Sequence, residues 1–158
     1  MKLNIPDSIK EEHNELHKTL EAATHLPGKT GEAAKKVARL LHPHFVKEEQ
    51  YALPPLALLL PLSEGNISSE MRGVIDESNK LKQELPKMLA EHKQIIAALE
   101  ELIKAATEEL YPEVIDFAER LQQHAKTEEE VFYPTSILIG EYLKLKLQEE
   151  VNEEEYYP

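Results

Sequence analysis

Two stretches of this chain, eighty residues apart, set the same polar pair on the same apolar stripe. In the first, Val37, Leu41, His44, Glu48 and Tyr51 recur at helical spacing; in the second, Phe117, Leu121, His124, Glu128 and Val131 do so. The same shift carries Glu49 onto Glu129 and Pro54 onto Pro134, and a shift of 79 carries Glu12-His13 onto Glu91-His92. Each half therefore reads as a helix with one inward imidazole, then a helix bearing His-x-x-x-Glu and ending at proline. Side chains four apart leave one helix face, so His44 goes inward with Glu48, and His124 with Glu128. The repeats must stack around a shared axis, and the buried carboxylates must find a partner there.

The helices follow from capping and spacing. Asp7 or Ser8 caps a helix after Pro6, with Ile9, His13, Leu16 and Leu20 on one face, and Pro27-Gly28 stops it. Gly31 opens a second helix over about 32–53, kinked at Pro43 and ended by Pro54-Pro55. Residues 56–65 form an apolar connector with a short helical turn. Ser68 or Ser69 starts a long helix, bent or broken at Pro86 and resuming through about Ala106. Tyr111-Pro112 begins a fourth helix that Pro134 ends, and a fifth amphipathic stretch covers 136–150. Nothing alternates with the period of a strand. The expected fold is all-α, an up-down four-helix bundle with an additional C-terminal helix: one domain over 1–150, then a frayed acidic tail over 151–158.

Four helices each turn an imidazole inward, His13, His44, His92 and His124, and two of them add a carboxylate, Glu48 and Glu128. Four neutral imidazoles and two bridging carboxylates make a cage for two first-row metal ions. Each ion would take two His and share both Glu, with positions left for an oxo or hydroxo bridge and an exogenous ligand. A single inward His is more often a hydrogen-bonded core residue, and a single His-x-x-x-Glu an exposed pair; the duplication tips the balance. His17, His25 and His42 are expected at the surface. His42 lies about 200° around the helix from His44, and its counterpart in the other half is Gln122, which selects His44. Glu49 and Glu129 sit off the stripe, as supporting or surface groups. Tyr51, one turn past Glu48, either packs the bundle end or hydrogen-bonds an oxygen at the metal.

Composition removes other chemistries. The chain has 158 residues, enough for one sizeable core, and no Cys, which excludes disulfides, thiolate zinc sites and Fe–S clusters. With 18 Lys and Arg against 30 Asp and Glu, the net charge is −12, unsuited to nucleic acid or an anionic membrane. The most apolar run, Leu53 to Leu62, holds three prolines and is half the roughly 20 residues a membrane span needs. No long apolar region follows Met1-Lys2, so the expected compartment is the cytosol. No phosphate loop, nucleotide fingerprint or Ser/His/Asp arrangement is present.

At Glu12-His13, His44-Phe45-Val46-Lys47-Glu48-Glu49 with Pro54, Glu91-His92, and His124-Ala125-Lys126-Thr127-Glu128-Glu129 with Tyr133-Pro134, the chain resembles the hemerythrin-like family, the HHE cation-binding domain. The resemblance covers about residues 6–135. It implies a four-helix bundle around a non-haem di-iron centre, with His13, His44, His92 and His124 as terminal ligands and Glu48 and Glu128 as bridges. Zn or Mn would also accept this set.

Oxygen-carrying members have His-x-x-x-His on the third helix and His-x-x-x-x-Asp on the fourth. Here Ile96 follows His92 and Met88 precedes it, and the fourth helix reads Thr127-Glu128-Glu129. The four-His, two-Glu set looks more like the branch associated with iron sensing, iron–sulfur repair or peroxide handling. The repair proteins usually carry a Cys-bearing segment, which this chain lacks. The expected function is a binding or sensing module for O2 or a related small oxidant, peroxide or nitric oxide, rather than a dedicated catalyst. The alternatives are a di-iron enzyme for peroxide or nitric oxide detoxification or iron-centre repair, and a zinc-bound or metal-free interaction bundle. A second copy of the chain is a candidate partner, through residues 56–62 or the fifth helix.

Overall fold

A computed structural model describes the backbone of residues 3–156 and the side chains as far as residue 148. The described residues form helices and no strand: α1 (Asp7–Thr24), α2 (Gly28–Lys47), α3 (Leu59–Ser63), α4 (Arg72–Glu109), α5 (Pro112–Thr127) and α6 (Tyr133–Tyr156). None of them is long and apolar enough to cross a membrane. The fold is the expected all-α bundle with an additional C-terminal helix.

Several boundaries differ from expectation. α2 starts at Gly28 rather than near Gly31, because Gly28 takes φ 75° and turns the chain directly into the helix. The second helix ends before Pro54 as expected, through a last wide turn, whereas Pro134 does not end its helix. A π-helical turn, Glu48–Ala52, follows α2, and another, Glu128–Phe132, joins α5 to α6. In the first, the Leu53 N–H donates to the Glu48 carbonyl at 2.9 Å, five residues back instead of four. A proline six residues after each Glu lacks an N–H and crowds the carbonyl four before it, and one wide turn relieves both. After the first turn the chain passes through a 3-10 turn, Pro54–Leu58, into α3; after the second it continues through Pro134 as α6. That helix runs on to Tyr156, past the expected limit at residue 150, while Tyr157 and Pro158 lie outside the described residues. Pro86 interrupts nothing: α4 spans it as a single helix of 38 residues.

The chain sorts into two compact units. One comprises Asp7–Val46 and Pro86–Glu129. It contains four helical stretches: α1, nearly all of α2, the second part of α4, and α5. Short connections at 25–27 and 110–111 turn the chain from α1 into α2 and from α4 into α5, and α1 packs against α5. Its apolar core stacks Leu16 and Leu20 of α1, Val37, Leu41 and Phe45 of α2, Ile95, Leu99 and Leu102 of α4, and Phe117 and Leu121 of α5. The Glu109 carboxylate closes the start of α2. It accepts the Thr30 N–H and the Thr30 hydroxyl, each at 2.6 Å, and satisfies donors that a helix N-terminus leaves open.

The other unit comprises the N-terminal residues to Pro6, Lys47–Leu85, and the chain from Glu130 onward. The 3-10 turn packs on α6, burying Leu56 and Leu58 in the same unit as Leu143 and Leu147. The Ser78 hydroxyl donates to the Ser136 carbonyl at 3.0 Å. Gly140 permits this close approach, since a Cβ there would stand 2.0 Å from Ser78 Oγ.

Candidate metal centre

Each of the four helical stretches of the first unit contributes one buried imidazole. His13 (α1), His44 (α2), His92 (α4) and His124 (α5) retain 2%, 1%, 1% and 4% of their exposure. They form two pairs. His13 Nε2 and His124 Nε2 are 3.1 Å apart, and the rings of His44 and His92 are 4.6 Å apart at their centroids. Phe45 lies flat against His13, with ring centroids 4.3 Å apart and planes within 7°, which fixes that imidazole from the side.

Glu128 stands between the pairs. Its Oε2 is 3.3 Å from His124 Nε2 and 3.8 Å from His13 Nε2, while its Oε1 is 3.4 Å from His92 Nε2. Glu128 is 1% exposed, yet Oε2 accepts no hydrogen bond. A carboxylate taken out of water in this way is costly unless a cation or a proton offsets it. Glu48 follows His44 by one turn and is 0% exposed. Two sets of donors result: His13, Glu48, His124 and Glu128, and His44, Glu48, His92 and Glu128. Within each set one ligand atom per residue lies within 4.8 Å of the others, and both carboxylates belong to both sets.

Carboxylates also hold the outer nitrogens of the rings. His124 Nδ1 is 3.0 Å from Glu12, His44 Nδ1 3.2 Å from Glu91, and His92 Nδ1 2.9 Å from Glu129. An ionised carboxylate only accepts, so Nδ1 carries the proton in each case and the Nε2 lone pair is left for the centre. Glu129 thus has the supporting place that its off-stripe position suggested. Glu12 and Glu91 had no role in the sequence reading, although the signal was present: both precede a buried His in the repeated Glu-His pair.

His17 and His42 are exposed on α1 and α2, and His25 is exposed in the turn between them. Tyr51 is buried in the first π-helical turn, with Lys80 Nζ 4.9 Å from its ring centroid, a cation–π contact. Both π-helical turns begin at the inward Glu of a His-x-x-x-Glu pair.

Imidazole nitrogens and carboxylate oxygens without thiolate suit iron, manganese or zinc, and the uncompensated Glu128 oxygen fits a cation at this position. The model of the hemerythrin HHE cation-binding domain matches residues 4–136. The chain belongs to that family. No curated protein and no solved structure matches it. All six buried donors fall within the matched span, and the family and the buried His and Glu cluster together make this a metal-binding type of domain.

Proposed function

We propose that the protein holds a non-haem pair of iron ions and uses it to bind or sense O2 or a related small oxidant, peroxide or nitric oxide. The reading rests on one observation: Glu128 turns one oxygen toward His124 and His13 and the other toward His92. A carboxylate so placed could serve two cations, and Glu48 is the second residue common to both donor sets. His13 with His124, and His44 with His92, would hold one ion each.

A pair of iron ions supplies two-electron redox chemistry to a small ligand. The chain's own residues set the conditions for it. Glu12, Glu91 and Glu129 orient three of the imidazoles. Phe45, stacked on His13, and the apolar core it shares with Leu41, Phe117 and Leu121 would limit water at the centre. Each set offers two imidazoles and two carboxylates, which would leave room for an exogenous ligand.

The test is to load the protein anaerobically with ferrous iron and titrate it with O2, peroxide and nitric oxide. Uptake of at least one of these in proportion to bound iron supports the reading; inertness toward all three overturns it. Sustained turnover of peroxide would instead favour the catalytic alternative.

A further inference from the structure

Outside the centre, the first unit has a cavity of about 300 Å³ between α1 and α2. Leu20, Leu41 and Phe45 are its apolar lining, and His17, Glu21 and His42 supply most of its polar groups, with Thr24 beside them. His17 and Glu21 are four apart on α1, a third His-x-x-x-Glu in this chain, and here the pair faces solvent. Across the cavity from α2 comes His42, whose ring centroid lies 6.4 Å from that of His17 at a tilt of 45°.

We infer that His17, Glu21 and His42 form a second, solvent-facing site for a divalent transition-metal ion. Two imidazoles and one carboxylate, completed by water, are the donor set of three-ligand zinc sites. A Zn–N bond of about 2 Å sets the centroids of two rings on one ion roughly 5–6 Å apart, so small side-chain rotations close the observed gap. Both His are exposed and have the rotamer freedom to make that adjustment. The site lies one turn along α1 from His13 and two residues along α2 from His44, and Phe45 both lines the cavity and stacks on His13. Its position thus suits capture of a cation next to the buried centre.

The experiment is zinc titration of the whole protein and of a double variant, His17→Ala with His42→Ala, read by calorimetry and by the imidazole resonances. Both residues are exposed, so the variant keeps the fold. The wild type takes up about one more ion than the variant, and the His17 and His42 ring signals shift together. Equal uptake by the two proteins, or movement of only one ring, overturns the inference. Because only the difference counts, the outcome is separate from the buried centre. A variant that takes up no zinc while the difference persists supports the surface site and leaves the iron reading of the buried centre to its own test.

Discussion

Glu12 on α1 accepts a hydrogen bond from Nδ1 of His124 on α5 at 3.0 Å, and Glu91 on α4 stands in the matching relation to His44 on α2 at 3.2 Å. The duplicated sequence therefore builds a duplicated support, in which the residue before one buried His steadies a His of another helix. Glu12→Gln keeps the shape and removes the charge. We expect it to fold normally and to weaken metal binding about 10- to 100-fold, measured by competition with a chromogenic chelator. Unchanged affinity would mean that the contact is incidental.

The inward residues were legible because burial of a polar side chain on an apolar stripe has few explanations, and two copies leave fewer. His44, Glu48, His124 and Glu128 follow from spacing alone, and their exposure of 4% or less agrees with that spacing. The outward hydrogen bonds were not legible. Whether Glu12 reaches His124 depends on which helices become neighbours, and helical periodicity carries no such information. The π-helical turns were missed for a different reason. A proline signals a helix stop in sequence, whereas a ladder that shifts by one residue accommodates it at Pro134 and carries the chain on into α6.

Stability in acid should depend on Glu109. Hydrogen bonds from the Thr30 hydroxyl and N–H, aided by the Lys29 N–H and charge, hold its carboxyl below the ordinary value. A depressed folded value means that the contribution is complete above the unfolded value, near 4.5, and is lost as pH falls through the folded one. Thermal melts between pH 3 and 7 should show Glu109→Gln less stable than wild type at neutral pH, with the gap closing toward pH 3. A gap independent of pH would contradict this assignment.

Leu110 is 83% exposed and has φ 65°, the only non-glycine residue in the left-handed region among those described. It follows α4, and the Tyr111 N–H returns to the Ala106 carbonyl at 2.8 Å, the helix-ending arrangement that glycine favours. Leu110→Gly removes a penalty of about 1–2 kcal/mol and adds unfolded-state entropy of roughly half that size. The expected net gain, up to about 1 kcal/mol, is measurable by denaturant unfolding. A clear loss of stability would contradict it.

Gly140 on α6 leaves no room for a methyl group: a Cβ would stand 2.0 Å from Ser78 Oγ and 2.4 Å from Ser78 Cβ. Gly140→Ala should therefore destabilise by about 1–3 kcal/mol despite the better helix propensity of alanine. Adding Ser78→Gly should recover part of that loss, because it removes the atoms met. Equal melting temperatures for wild type and Gly140→Ala would show that the helices separate at little cost.

If Glu128 joins two ions, the metal content of the purified protein will show it. Protein produced with ample iron and prepared without chelator should hold about two iron ions per chain by plasma mass spectrometry, and Glu128→Ala should lose most of both, since one side chain serves the two donor sets. His17→Ala should leave the buried pair in place. One ion per chain in the wild type, none, or a Glu128→Ala variant that retains both would rule out a shared Glu128.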